Sequence, residues 1–130
     1  MISISKLYCG LAGESDHLRY AGKREIGPIV VYNSTRRCNL RCLHCYSASD
    51  GVSTDDELTT EQASTMLSQL PAVNAPVALF SGGEPLLRSD LFELLEEAKR
   101  LRLRTVISTN GTLIDEAVAR RLAKADLSYA

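Results

Sequence analysis

Three cysteines, Cys38, Cys42 and Cys45, fall within eight positions in the order Cys-x-x-x-Cys-x-x-Cys. Thiols packed this closely in a reducing compartment bind metal or do redox work more often than they form disulfides. Three thiolates on one short loop can grip three irons of a 4Fe–4S cluster, which normally takes four cysteines. One iron is then left without a protein ligand, free to bind a small molecule. Two other readings stay open. A structural zinc ion prefers four ligands, commonly from Cys-x-x-Cys pairs. His44 or Cys9 could complete such a set, although His44 is pinned between two of the cysteines. The three could also be unrelated buried thiols. Two further groups have residue types suited to a ligand. Ser81-Gly82-Gly83-Glu84-Pro85 holds adjacent glycines, whose missing Cβ atoms let a ligand approach the backbone closely; Gly-Gly serves a strand-to-helix turn equally well. Ser108-Thr109-Asn110-Gly111 is polar, and Asn-Gly is also a turn dipeptide.

Each group follows a short apolar run. Ile29 to Tyr32, β-branched in its first three residues and preceded by Pro28, reads as a buried strand, with the cysteine segment directly after it. Ala48 to Leu58 is small, polar and acidic, hence a loop. Thr59 and Gln62 have the capping-box spacing. Ala63, Met66, Leu67 and Leu70 then repeat on one helical face until Pro71 ends the helix. Val77 to Phe80 is a second strand, closed by Ser81-Gly82-Gly83. A second helix starts near Ser89, with Asp90 favourable in its first turn and Leu91, Leu94, Leu95, Ala98 and Leu101 as its buried stripe. Lys99, Arg100 and Arg102 complement its C-terminal dipole. Thr105 to Ser108 is a third strand. A third helix is expected from about Thr112, with Ile114, Val118 and Leu122 one turn apart. Leu127 to Ala130 reads as the start of a fourth strand.

The order β-α-β-α-β-α-β means a parallel sheet with right-handed crossovers and helices on its outer face. Strand starts after the first crossover are spaced by roughly 25 residues, the tight repeat of a β/α barrel. The expected fold class is α/β, a partial TIM-like (β/α) barrel comprising three β/α units and the start of a fourth strand. Residues 1–27 are polar, Gly-rich and aperiodic, and read as an N-terminal extension to a core at 28–130. Active sites of such barrels lie at the C-terminal strand ends, where all three candidate groups fall. A piece of a barrel is not expected to turn over substrate by itself.

Composition excludes several classes. With 130 residues, 45% hydrophobic and 24% charged, the chain suits one globular domain rather than a multidomain or disordered protein. A formal net charge of −1 provides no long-range pull toward nucleic acid or anionic lipid. No apolar run is long enough to span a bilayer, and Met1 to Gly13 has no continuous apolar core of a secretory signal. Neither a nucleic-acid nor a membrane partner is expected, and the expected location is the cytoplasm.

Thr35-Arg36-Arg37-Cys38-Asn39-Leu40-Arg41-Cys42-Leu43-His44-Cys45-Tyr46 resembles the signature loop of radical S-adenosylmethionine (SAM) enzymes. Ser81-Gly82-Gly83-Glu84-Pro85 and Ser108-Thr109-Asn110-Gly111 resemble their second and third motifs, in the same order and each at a strand end, so the resemblance covers Pro28 to Ala130. It implies a 4Fe–4S cluster on the three cysteines, with the open iron chelated by the amino and carboxylate groups of SAM. Reduction then breaks a carbon–sulfur bond, and the deoxyadenosyl radical abstracts hydrogen from substrate. It implies that Gly82, Gly83 and Glu84 hold the SAM amino group, and that Ser108 and Asn110 meet the ribose and the methionine carboxylate. His44 takes a usually aromatic place near the adenine. An electron donor such as ferredoxin or flavodoxin is implied as well. Arg36, Arg37 and Arg41 could ease cluster reduction, but at least two of them are expected to form a solvated basic face.

Ile4-Ser5-Lys6-Leu7-Tyr8-Cys9-Gly10, Leu18-Arg19-Tyr20 and the segment Asn33 to Leu40 look like radical SAM proteins of alternative heme biosynthesis, the didecarboxysiroheme deacetylase and the d-type heme side-chain proteins. That implies a small-molecule substrate, a modified tetrapyrrole, and removal of a side chain. Peptide- and cofactor-maturing radical SAM enzymes share similar loops and are the alternative within the class. A small zinc-binding or electron-transfer module is the alternative outside it. Cys9 reads most simply as a small apolar residue or an incidental thiol.

Overall fold

The computed structural model describes residues 27–49 and 56–130. The expected N-terminal extension up to residue 26, Cys9 within it, and residues 50–55 of the expected loop lie outside the described residues. Strand β1 (Val30–Thr35) is followed by helix α1 (Thr60–Gln69), β2 (Val77–Gly82), α2 (Leu91–Arg100), β3 (Arg104–Ile107) and α3 (Glu116–Lys124). The strands form one parallel sheet in the order β1-β2-β3. Among the described residues no helix is long and apolar enough to cross a membrane.

Strand residues that alternate across the pleat separate into two faces. Tyr32, Ala78, Phe80 and Ile107 are buried with Ala63 and Leu67 of α1 and Leu91, Leu94, Leu95 and Ala98 of α2 in one core. Tyr32 and Phe80 meet edge to face at 5.8 Å between ring centroids. The opposite face carries Val31, Leu79 and Val106 in register, and Val31 is exposed.

The helix termini follow local chemistry. Thr59 and Gln62 form the expected capping box on α1. The chain goes on past Gln69 through a 3₁₀ turn, Leu70–Val73, because Pro71 sits at its start without needing an N–H donor. Another 3₁₀ turn, Pro85–Leu87, precedes α2 and was not anticipated.

Five expectations are corrected. β1 runs on from Tyr32 to Thr35, and β2 from Phe80 to Gly82, because parallel pairing carries through both polar ends. α3 begins at Glu116 rather than near Thr112, since the Asp115 carboxylate caps Val118 N–H at 2.7 Å. Ile114 precedes that helix and is exposed, while Leu122 is buried and Val118 packs against the core. Arg102 lies beyond α2 with φ +57°, so only Lys99 and Arg100 stand in its last turn. The expected fourth strand is a single parallel bridge, Val106 to Tyr129.

One ion pair ties the helix starts to the sheet. Arg88 Nε and Nη2 donate to the two oxygens of Asp90 at 2.6 and 2.8 Å, a bidentate pair. Arg88 also donates to the carbonyls of Ser34 and Leu58, at 2.7 and 2.8 Å. Thr60 Oγ1 donates to Asp90 at 2.6 Å. These side chains are 8% and 14% exposed, so removing one partner would leave an uncompensated charge in a largely dry place. Burial alone would push the Asp90 carboxyl up, but the hydrogen bonds from Arg88 and Thr60 outweigh it and hold the group below its ordinary value. A depressed folded value contributes stability that is complete above the unfolded value of about 4 and is lost as the pH falls through the folded value. Arg88→Ala is therefore expected to cost about 3 kcal/mol in urea unfolding. Between pH 5 and pH 3 the urea midpoint of the parent should fall more than that of Asp90→Asn.

Candidate functional site

The C-terminal strand ends bring the three motifs together. β1 carries a bulge at Ser34, between the pairs Asn33–Ser81 and Thr35–Gly82. A bulge re-aims the chain, and here it turns the β1 exit across the end of β2. Gly83 N–H donates to Thr35 O at 2.7 Å and Glu84 N–H to Arg37 O at 2.8 Å. A Cβ on Gly82 would stand 2.3 Å from Thr35 O, and Gly82 has φ +117°. A Cβ on Gly83 would stand 2.2 Å from Arg37 O. Both glycines are thus required by the contact between the two loops, a reason independent of any ligand.

The cysteine loop beyond Arg37 is a run of turns. Cys45 N–H donates to Cys42 O at 3.2 Å, and Ala48 N–H to Cys45 O at 3.3 Å. Cys38 and Cys45 are half-buried and Cys42 is exposed. Leu40 N–H points at Cys38 Sγ from 3.4 Å. Ser47 Oγ lies 3.3 Å from Cys45 Sγ, and Ser49 N–H donates to the same sulfur at 3.5 Å. The Ser47 hydroxyl, then the Ser49 and Ser47 backbone, lower the Cys45 thiol to about 7. Among the described residues no three His, Cys, Asp or Glu side chains converge on a single metal ion. Zinc needs its ligands to meet at one centre. A cubane would need each thiolate at a different iron.

Glu84 is fully buried. Its carboxylate accepts from Leu86 N–H at 3.1 Å, Thr109 Oγ1 at 2.8 Å and Asn110 N–H at 2.7 Å. The side chain therefore joins the β2 exit to the β3 exit. Asn110 in turn reaches the cysteine loop, with Nδ2 donating to Asn39 Oδ1 at 2.9 Å and standing 4.0 Å from Cys38 Sγ. Thr112 closes this cluster, accepting from Asn39 and donating to Asn110, each at 2.7 Å.

Tyr46 pins the far side of the cysteine loop. Its hydroxyl donates to Asn33 Oδ1 at 3.0 Å and sits 2.9 Å from Ser81 Oγ. His44 and Ser108 are exposed at the same end, and among the described residues neither side chain makes a hydrogen bond. Arg36, Arg37 and Arg41 are all exposed, as a solvated basic face would be. Asn39, Tyr46, Ser47, Thr109 and Thr112 had no role assigned from sequence. Their one signal was position, since each is a polar residue within three places of a motif residue at a strand top.

The sequence pattern of the Radical SAM superfamily matches residues 32–130. The chain belongs to the radical SAM superfamily. It is 45% identical over 141 residues to the Fe-coproporphyrin III synthase of Methanosarcina barkeri, a match covering 99% of this chain and 35% of that protein. It is 44% identical over 102 residues to the pre-heme d1 synthase of Dinoroseobacter shibae, covering 78% of this chain and 25% of that protein. The chain thus spans about a third or less of the curated relatives it matches. The crystal structure of BtrN in complex with AdoMet and 2-DOIA superposes with a TM-score of 0.66 at 22% identity, over 78% of this chain and 43% of that one. That likeness shows the radical SAM fold, here as an open three-stranded part of the sheet.

Because Gly83 lies against the cysteine loop, Gly83→Ala is expected to displace that loop rather than to disturb a small-molecule site alone. After anaerobic reconstitution the variant should retain less than half the iron of the parent. Full iron retention would show that the loop tolerates the added methyl group.

Proposed function

We propose that this chain is the cofactor-binding part of a radical SAM enzyme that removes side chains from a modified tetrapyrrole in heme biosynthesis. The observation that carries this reading is the 45% identity to Fe-coproporphyrin III synthase across 99% of the chain. That match includes the residues before β1, where Ile4 to Gly10 bear their own resemblance to heme-related proteins.

In this reading Cys38, Cys42 and Cys45 hold a 4Fe–4S cluster, and SAM lies against the Gly82–Gly83 backbone, Ser108, Asn110 and His44. The bound groups together supply a one-electron cleavage of SAM that ends in hydrogen abstraction from substrate. The chain's own residues hold and orient. Glu84 has no exposed surface and three donors already, so its part is to hold Asn110 and Thr109 in place from beneath the site. Tyr46 and Asn39 keep the cysteine loop seated on the strand ends. An external one-electron donor of the ferredoxin or flavodoxin type and a cytoplasmic location complete the proposal. The net charge of −1 supports a small-molecule substrate over nucleic acid or a lipid surface.

Iron and acid-labile sulfide after anaerobic preparation test the cluster. A brown protein absorbing broadly near ~400 nm is expected, and tight zinc in a colourless protein would refute it. Cys42→Ala should lose most of the iron, whereas Cys9→Ser should lose none. Glu84→Ala, which frees Asn110 and Thr109, should weaken SAM binding at least about tenfold in calorimetry; parental affinity would remove Glu84 from the site. The substrate is tested with the protein encoded by the complete open reading frame. Reduced and supplied with SAM, it should release a side-chain fragment from a siroheme-derived tetrapyrrole, read by mass spectrometry. Conversion of a precursor peptide instead would overturn the tetrapyrrole.

A further inference from the structure

The three cysteine sulfurs are not equally hydrogen-bonded. Cys45 Sγ has Ser47 Oγ at 3.3 Å and receives Ser49 N–H at 3.5 Å. Cys38 Sγ has Leu40 N–H at 3.4 Å and the Asn110 amide at 4.0 Å. Among the described residues Cys42 Sγ receives no hydrogen bond, and Cys42 is exposed.

Ser47 Oγ stands at a branch point, 2.7 Å from Ser49 Oγ and 3.2 Å from the Gly82 carbonyl as well as 3.3 Å from Cys45 Sγ. A hydroxyl has a single proton to donate and two lone pairs with which to accept. Ser49 is buried, and its hydroxyl has Ser47 Oγ beside it as an acceptor. If Ser49 donates to Ser47, the Ser47 proton is left to choose between a neutral carbonyl and a sulfur. A sulfur bound to iron carries no proton and is anionic, and charged acceptors form the stronger hydrogen bond. The direction is then set as Ser49 O–H to Ser47 O, and Ser47 O–H to Cys45 Sγ, each bond polarising the next.

We propose that Ser47 and Ser49 form a hydroxyl relay onto Cys45 that raises the reduction potential of a cluster held there. The proposal rests on the reading that the three cysteines carry a 4Fe–4S cluster. Adding one electron, from whatever one-electron donor serves the protein, increases negative charge on the ligand sulfurs. Donors aimed at a sulfur bind that charge more strongly in the reduced state, so they stabilise it and move the potential upward. Ser47 is a positioning residue in this scheme. It touches a ligand sulfur and does not itself bind iron.

The test is a potentiometric titration with dithionite on the reconstituted full chain, followed by the EPR signal of the reduced cluster. Ser47→Ala should load parental iron and titrate at a more negative midpoint. Ser49→Ala, which removes only the far hydroxyl, should shift the same way by less. Ser47→Thr restores the donor and should titrate like the parent. An unmoved midpoint in an iron-loaded Ser47→Ala protein overturns the relay, and so does a Ser47→Thr midpoint shifted as far as that of Ser47→Ala. Should Ser47→Ala fail to hold iron, Ser49→Ala decides alone: a negative shift supports the relay and none overturns it. A parent without iron overturns the cluster reading and the relay with it, an outcome distinct from a loaded cluster whose potential does not move.

Discussion

The arrangement of the site depends on two backbone hydrogen bonds, from Gly83 N–H to Thr35 O and from Glu84 N–H to Arg37 O, at 2.7 and 2.8 Å. They lay the chain leaving β1 directly along the chain leaving β2. That approach is so close that Cβ atoms at Gly82 or Gly83 would fall within 2.3 Å of a β1-side carbonyl. The cysteine loop has little internal structure beyond its turns, so its position is inherited from this contact. The loop that carries the three cysteines is built on a parallel sheet rather than on other loops, which fixes its position more firmly.

Glu84 extends the same joint to the third strand. A carboxylate with no exposed surface is costly unless its lone pairs are occupied, and here three donors occupy them. Two of the donors come from the β3 exit, so the desolvation cost is offset only when that loop is in place. Asn110, Asn39 and Thr112 then return the network to the cysteine loop. Three strand ends are thereby coupled in a ring, with the backbone contact on one side and side-chain amides on the other. The three motifs are thus held by elements that cannot move independently.

Beneath this ring the Arg88–Asp90 pair plays a similar part for the scaffold. It links Ser34 at the end of β1 with the starts of α1 and α2. The same Ser34 forms the bulge that turns β1 toward the cysteine loop, and its hydroxyl donates to Ser81 O at 3.1 Å. The apolar core, the ion pair and the site thus share one short piece of strand, which makes cysteine placement sensitive to packing on the helix side of the sheet.

Much of this was legible in the chain alone. The alternation of β-branched runs with 3.6-residue stripes specified a parallel sheet with helices packed against it, because those periods are local properties. The spacing of Cys38, Cys42 and Cys45 and the order of the three motifs carried the resemblance to the radical SAM family, which the match over residues 32–130 bears out. The capping box at Thr59 was equally local. Other features depended on residues distant in the chain. That Gly82 and Gly83 lie against a neighbouring loop cannot be told from glycine itself, and it is the nearby carbonyls of Thr35 and Arg37 that show it. The resemblance gives Glu84 as a residue that meets SAM, and nothing along the chain shows that three donors, two of them some 25 residues away in sequence, enclose its carboxylate. The start of α3 at Glu116 is set by the Asp115 cap on Val118 N–H, while Asn110 and Thr112 before it are bonded to each other. Tyr46 and Ser47 gained their roles only when the strand tops came within hydrogen-bond reach. Periodicity and motif spacing are written along the chain, whereas the pairing of polar groups across loops is created by folding, and the tertiary structure alone decided it.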